Sequence, residues 1–165
     1  MPEENEDGSE DLETPPAFFP YGDETADRPP GDYGSLVQVM VEGVFAAENN
    51  GQISRFVLLT DGERRLPISI GPFEAQAIQL MLEGERLDRP LTHDLIRNIM
   101  ERVDTRLTKV TIDDYWNAVY YAKLTIKRKT EEYDVDARPS DAIALAMRFE
   151  ASIFVADALL DGNDF

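Results

Sequence analysis

Between residues 36 and 70, hydrophobic and polar residues alternate in a way that predicts three successive strands. Each segment has apolar side chains at every second position, the period of a strand with one buried face: Leu36–Ala46, Ile53–Thr60 and Arg64–Ile70. The turn sequences Glu48-Asn49-Asn50-Gly51 and Asp61-Gly62 separate them, and both contain a glycine that can take positive φ. We therefore predict a β-meander here.

Two helices are predicted to follow the meander. Gly71-Pro72 opens the first, which runs from Phe73 to about Glu83, because proline is tolerated in the first turn of a helix. Arg89-Pro90 leads into the second, with Thr92 as its expected N-cap. The apolar residues of the second helix recur at helical spacing and predict one buried stripe, formed by Leu95, Ile96, Ile99, Met100 and Val103.

The second half of the chain begins with three more alternating segments. They predict strands at Thr105–Ile112, Ala118–Ile126 and Glu131–Ala137. A helix and a short buried strand, Ser152–Ala156, come next. Asp157–Phe165 is expected to form a short helical turn and a frayed end.

The helix of the second half is expected to lie in the core of the fold. Residues 136–149 read DARPSDAIALAMRF, and every residue from Ala142 to Met147 is apolar; a helix that is apolar on nearly all sides is normally buried. Proline fits the first turn of a helix, and an aspartate there faces the positive end of the helix dipole. The polar residues at this helix start would form either a functional site or a structural cap: Asp136, Arg138, Ser140 and Asp141.

A constant offset of 67 residues relates the two halves, since it aligns Gly71-Pro72-Phe73-Glu74-Ala75 with Arg138-Pro139-Ser140-Asp141-Ala142. The same offset preserves the strand phases, and a slip of one residue would reverse every strand face. We predict an α+β fold in a single domain of duplicated β-β-β-α units, with pseudo-two-fold symmetry. Helices would pack on a mixed or antiparallel sheet.

The charge distribution divides the chain near residue 34. The net charge is −17, and residues 1–34 contain 11 acidic side chains and 1 basic one. This composition predicts a disordered acidic tail at 1–34, able to dock on a basic protein, and a folded domain at 35–165. Phe18, Phe19 and Tyr21 are either stray aromatics in that tail or a short docking motif. The acidity counts against tight nucleic-acid binding unless a local basic groove or a metal compensates for it.

Composition also limits the chemistry. The chain has no cysteine, which excludes disulfides and thiolate zinc sites. His93 is the only histidine, so a metal site would consist mainly of carboxylates. No apolar run is long enough to span a membrane, and no signal peptide opens the sequence, so we expect a cytoplasmic protein.

Three stretches resemble the bifunctional nuclease domain family, once filed as a domain of unknown function. They are DARPSDAIALAMR at 136–148, LPISIGPFEAQAI at 66–78 and RPLTHDL at 89–95. The resemblance covers the chain from about Ser35 to Leu160. It implies the fold of that family and, from the DNase and RNase activity attributed to its plant members, a nuclease acting on DNA or RNA.

Glu74, Asp136 and Asp141 are candidate ligands of Mg²⁺ or Mn²⁺ for phosphodiester hydrolysis. Such hard cations prefer oxygen ligands, activate water and neutralise phosphate. Glu74 and Asp141 occupy equivalent places in the two repeats, each two residues after a helix-opening proline. The structural alternative is that both only offset the helix dipole, by a few tenths to about 1 kcal/mol each.

The remaining candidates are catalytic or phosphate-binding groups. Asp136 and Arg138 could form a structural ion pair, or present an acceptor and a phosphate-binding guanidinium. His93, followed by Asp94, could be a general base or a metal ligand, or only a solvated or capping residue. Ser140 completes the group, although no second histidine is present to activate it as in a Ser-His-Asp triad.

The sequence therefore favours a metal-assisted phosphodiesterase acting on DNA or RNA. The alternative is a non-catalytic interaction or regulatory domain whose acidic tail docks on a basic partner. Strands with apolar groups on both faces, such as Ile53–Thr60, also predict a homodimer or small homo-oligomer that covers them.

Overall fold

The computed structural model describes residues 32–85 and 87–161, and within them the chain forms seven strands and four helices. The strands are β1 (Leu36–Asn49), β2 (Gln52–Thr60), β3 (Arg65–Ile70), β4 (Thr105–Trp116), β5 (Val119–Arg128), β6 (Glu131–Ala137) and β7 (Ser152–Ala156). The helices are α1 (Pro72–Leu82), α2 (Thr92–Arg102), α3 (Pro139–Phe149) and α4 (Asp157–Leu160). None of the described helices is long and apolar enough to cross a membrane.

One mixed sheet forms the base of the fold. Its strand order is β3-β2-β1-β7-β4-β5-β6, with β7 parallel to β4 and the other neighbours antiparallel. Helix α1 packs over β1 and β2, whereas α3 packs over β4, β5 and β7. Helix α2 lies against α3 and β4. The predicted α+β fold class is confirmed.

The predicted turns close the first two hairpins. Asn50 and Gly51, with φ of 52° and 77°, form a two-residue turn, a geometry that matches the twist of the paired strands. Because this turn is so short, β1 continues to Asn49 instead of ending at the predicted Ala46. In the next hairpin the backbone N–H groups of Arg64 and Glu63 donate to the Asp61 carboxylate and lower its pKa to about 2.

Helix α3 lies at the centre of the core, as its apolar sequence predicts. Ala142, Ile143, Ala144 and Ala146 are fully buried. Two polar residues of the same helix are also buried, Ser140 and Arg148. A buried polar or charged group must find hydrogen-bond partners, and the partners of Arg148 prove important for the site.

Helix α2 differs from its prediction in two respects. Its N-cap is Leu91 instead of Thr92, and the capping acceptor is the carboxylate of Asp94, which accepts the Leu91 N–H at 2.9 Å. Of its apolar stripe, only Ile96 and Met100 pack against the core. Leu95, Ile99 and Val103 stay about half exposed, because the main contacts of α2, with α3 and β4, cover only the other part of the stripe.

The predicted disordered tail lies almost entirely outside the described residues, and so do Phe18, Phe19 and Tyr21. Contacts with the domain begin before residue 35. The hydroxyl of Tyr33 donates to the carbonyl of Tyr115 at 2.7 Å, and its ring packs against the core. At the other end of the chain, α4 is the expected helical turn, and residues 162–165 lie outside the described part.

The two halves have matching topology around β7. Val57 pairs with Ile68 in the first half, and under the offset of 67 the equivalent Leu124 pairs with Val135. The duplication itself stays a prediction. Burial differs between the halves, since Ile68 is 4% exposed and Val135 is 42% exposed. Helix α4 packs against β3, whereas the contacts of α3 reach β5 and leave β6 as an open edge.

The sheet face opposite the helices carries exposed apolar side chains on β1. Alternation along β1 places Val44 in the core and Phe45, paired with Phe56, on the outer face. Phe45 is 50% exposed and Met40 is 67% exposed. The predicted homo-oligomer would cover such a surface, and a monomeric mass for the full chain in sedimentation at micromolar concentration would contradict it.

We predict that truncating equivalent residues of the two halves has unequal effects on stability. Ile68→Ala should lower the free energy of unfolding by about 3 kcal/mol, because it leaves a cavity in the core. Val135→Ala, on the open edge, should lower it by less than about 1 kcal/mol. Urea denaturation of both variants measures the difference, and equal losses would contradict this account of the burial.

Candidate functional site

The first turns of α1, α2 and α3 line one cavity of about 500 Å³. Pro72 and Pro139 start α1 and α3, and the two helix starts open toward the same space. The lining residues are Phe73, Glu74, Gln76, Ala77, Leu91, Thr92, His93, Ile96, Arg138 and Asp141. Four of these, Glu74, His93, Arg138 and Asp141, are among the residues that the sequence predicts for the site.

A continuous set of polar contacts joins these four side chains. His93, which is 8% exposed, places its Nε2 atom 3.0 Å from Oδ1 of Asp141. The other oxygen of Asp141 accepts from Nε of Arg138 at 2.9 Å. Arg138 also places Nη1 3.2 Å from Oε1 of Glu74. The guanidinium thus bridges the carboxylates that begin α1 and α3.

The charge state of Asp141 determines how His93 is oriented. Burial raises the pKa of Asp141, but hydrogen bonds from Arg138 and His93 outweigh it and hold the pKa below the ordinary 3.8. The pKa of Arg138 is raised, chiefly by its hydrogen bond to Asp141. Both groups are therefore charged at neutral pH. An ionised carboxylate can only accept, so Nε2 of His93 carries the proton and the lone pair of a neutral ring lies on Nδ1.

Gly71 allows Glu74 to fold back over the start of α1. A Cβ atom at position 71 would collide with Oε2 of Glu74. Glycine at the N-cap of α1 therefore leaves room for the carboxylate that faces Arg138.

Asp94 lies on the opposite side of the first turn of α2 from His93. Its Oδ1 accepts from Nε of Arg148 at 2.6 Å. Burial raises the pKa of Asp94, but the hydrogen bonds from Arg148 and from the Leu91 N–H outweigh it and lower the pKa overall. Asp94 is thus an anchor for α2 and does not line the cavity with His93.

Arg148 connects the three helices that form the cavity. Its side chain is 2% exposed, and besides binding Asp94 it donates through Nη1 to the carbonyls of Ala77 on α1 and Ala144 on α3, at 3.2 and 2.9 Å. It was not among the predicted site residues. The signal was present, because Arg148 is the only charged residue between Ala142 and Phe149, and a lone charge in a buried helix needs partners.

Besides Asp94, two predicted site residues lie outside the cavity. Asp136 pairs in register with Lys123, while its neighbours Val135 and Ala137 face the same side as Leu124 in the core, so Asp136 faces the helix-free side of the sheet. Arg138 pairs with Asp141 and Glu74 instead of the expected Asp136. Ser140 is buried in the first turn of α3 and does not line the cavity.

Of the three predicted metal ligands, Glu74 and Asp141 meet at the cavity, where Arg138 bridges them, and Asp136 lies apart. Among the described residues, no group of three or more histidine and acidic side chains is placed to hold a metal ion. Both oxygens of Asp141 are engaged, one by His93 and one by Arg138. The guanidinium of Arg138 supplies the positive charge between the carboxylates of Glu74 and Asp141. The binding of Mg²⁺ or Mn²⁺ here stays a prediction.

Comparison with known proteins adds independent information. Residues 57–165 match the bifunctional nuclease domain. A Mycobacterium tuberculosis protein described as uncharacterized is 38% identical over 123 residues, which are 74% of this chain and 73% of that protein. Bifunctional nuclease 1 of Oryza sativa subsp. indica is 32% identical over 97 residues, which are 54% of this chain and 28% of the rice protein. The bifunctional nuclease of Oryza minuta matches to the same extent.

We predict a pH-dependent contribution of Asp94 to stability. Its pKa is lower in the folded state than the ordinary 3.8, so the folded state binds fewer protons and is favoured as the pH rises. The contribution is present above about pH 4 and is lost as the pH falls through the folded pKa. Asp94→Asn should lower the free energy of unfolding by about 1–2 kcal/mol at neutral pH.

The difference in the free energy of unfolding between Asp94→Asn and the wild type should become smaller as the pH falls below about 4. Urea denaturation at several pH values from about 3 to 7 measures it. A difference that stays constant, or that grows toward acid, would contradict the account of the Asp94–Arg148 pair.

Proposed function

This chain belongs to the bifunctional nuclease domain family, and we propose that it hydrolyses phosphodiester bonds of nucleic acid at the cavity formed by α1, α2 and α3. The observation that carries the proposal is the contact of His93 with Asp141, 3.0 Å apart, beside the exposed guanidinium of Arg138. A histidine oriented by a carboxylate is a typical general base, and a guanidinium is a typical phosphate ligand.

His93 takes the role of general base in this proposal. Asp141 accepts the Nε2 proton and fixes the ring, which leaves the Nδ1 lone pair to take a proton from the attacking water. The water oxygen forms a bond to phosphorus as the bond to the leaving oxygen breaks. The leaving oxygen, on the opposite side of the phosphorus, takes a proton from solvent, and His93 releases its proton to solvent, which restores the neutral ring.

Arg138 takes the role of phosphate ligand. Its side chain is 67% exposed, so one edge of the guanidinium is open to a ligand while Nε stays on Asp141. Charge-assisted hydrogen bonds from a guanidinium to phosphate oxygens stabilise the negative charge that develops during the displacement. Since residues 35–165 contain 22 acidic and 15 basic side chains, we expect weak affinity for nucleic acid.

A requirement for Mg²⁺ or Mn²⁺ stays a prediction, and no step of the proposed mechanism passes through a metal. Glu74, His93 and Asp141 are suitable ligand types. Arg138, however, already neutralises the two carboxylates. An assay with added Mg²⁺, added Mn²⁺ or a chelator decides this point independently of the roles of His93 and Asp141.

The alternative function is a non-catalytic interaction domain. It is favoured by the outer face of the sheet, where Met40 and Phe45 are largely exposed, because exposed apolar patches are typical of protein interfaces. Under this alternative, substitutions in the cavity would leave every measured property except local stability unchanged. The activity assay therefore separates the two functions.

We predict that His93→Gln and Asp141→Asn each lower the rate of nucleic-acid cleavage by about 100-fold or more, the usual contribution of a general base. Cleavage of a fluorescently labelled oligonucleotide by highly purified protein measures the rate. Asp136→Asn, prepared identically, is the matched control, because that carboxylate lies on the helix-free side of the sheet.

Comparing the three variants also tests whether a contaminating nuclease is the source of the activity. Cleavage that falls in the two cavity variants and persists in Asp136→Asn supports the proposal. Cleavage at the wild-type rate in His93→Gln would rule out its role as the base. Equal cleavage in all preparations would indicate a contaminating nuclease and contradict the proposed function.

A further inference from the structure

Phe73 is the most exposed large hydrophobic side chain in the described part of the chain. It is 82% exposed, although it lines the same cavity as His93, Arg138 and Asp141. A phenylalanine in this position loses the stabilisation that its burial would give. Single exposed hydrophobic residues are common on protein surfaces, so the significance of Phe73 comes from its place in the lining of the candidate site.

The local structure of the helix start does not require a phenylalanine at this position. Phe73 is the second residue of α1, a position that phenylalanine does not favour through helix propensity. The equivalent residue at the start of α3 under the offset of 67 is Ser140, which is small and buried. The helix start that the two halves share thus forms without an aromatic ring and without exposure.

The charge of the protein makes an uncharged contact valuable for binding nucleic acid. The chain has a net charge of −17, so contacts to phosphates cannot supply the affinity that basic proteins obtain from them. An aromatic ring binds the face of a base without any charge, and base–aromatic stacking tolerates any sequence. Phe73 offers such a ring in the cavity that Arg138 also lines, and the Arg138 guanidinium can contact a phosphate of the same strand.

We infer that Phe73 is a stacking platform for an unpaired base and that the cavity takes single-stranded nucleic acid. The inference rests on the proposed function and names its substrate class. In a duplex, the faces of each base are covered by the neighbouring bases, so a ring beside the cavity can stack only on a base that is unpaired or splayed out. The nucleotide would lie with its base on Phe73 and its phosphate on Arg138.

Binding of a labelled single-stranded oligothymidylate tests the inference. The measurements use the full chain with the His93→Gln substitution, so that cleavage does not interfere. Adding Phe73→Ala or Phe73→Leu should weaken binding by roughly 5- to 150-fold, and adding Phe73→Trp should preserve it. The leucine variant separates aromatic stacking from hydrophobic contact in general.

Salt dependence distinguishes the role of Phe73 from that of Arg138. Phe73→Ala should weaken binding equally at every salt concentration, because no phosphate contact is lost. Arg138→Gln should make the slope of log affinity against log salt concentration less steep by about the amount that one phosphate contact contributes. A duplex oligonucleotide should bind more weakly than the single strand, and its affinity should be insensitive to Phe73.

The inference is overturned if Phe73→Ala and Phe73→Leu bind the single strand as tightly as the parent, or if duplex binding depends equally on Phe73. It is also overturned if Phe73→Ala changes only the sedimenting mass, since Phe73 would then belong to a protein interface. Cleavage by the wild-type chain is measured in parallel. If the wild type cleaves but binding does not depend on Phe73, only the stacking role is refuted. If binding depends on Phe73 but the wild type does not cleave, only the catalytic proposal is refuted.

Discussion

The buried guanidinium of Arg148 is the interaction on which the candidate site depends. It bonds to the carboxylate of Asp94 and to the carbonyls of Ala77 and Ala144, and so joins α1, α2 and α3. Removing one partner of a buried charge is strongly destabilising, because the remaining groups are left unpaired. The same three helices start around the cavity, so their relative positions determine which side chains meet there.

Asp94 transmits this constraint to His93. One of its oxygens binds Arg148 and the other caps Leu91, so the first turn of α2 is fixed both to α3 and to its own N-terminus. His93 is the preceding residue and faces the opposite side, where it meets Asp141. The candidate base is thus oriented by an ion pair outside the cavity, and Asp141 is held in turn by Arg138.

Much of the fold could be predicted from the sequence, because strand alternation and turn chemistry are local signals. The limits predicted for β6 and β7 agree with the structure, and the predicted membership of the nuclease domain family is confirmed by the match over residues 57–165. The predicted burial of Leu95, Ile99 and Val103 on α2 was wrong, because burial depends on where the helix packs. Such placement is a tertiary property that periodicity alone does not contain.

The site was harder to predict, because its contacts join residues far apart in the chain. His93 and Asp141 are 48 residues apart, and no sequence spacing indicates that they touch. Asp136 was grouped with Arg138 because alternate residues of an extended segment face the same way. Arg138 is in fact the N-cap of α3, and its side chain turns toward Asp141 and Glu74. Arg148 could have been recognised as a lone charge in an apolar helix.

The central claim is that Arg148 positions His93 on Asp141, and the imidazole ¹⁵N spectrum tests it most directly. His93 is the only histidine in the sequence, so its ring signals need no further assignment in the natural chain. Arg148→Met and, as a milder variant, Asp94→Ala should shift these signals in the same direction as Asp141→Asn while the backbone spectrum stays that of a folded domain. Ring signals that move in Asp141→Asn but stay at their wild-type positions in folded Arg148→Met and Asp94→Ala would contradict the claim.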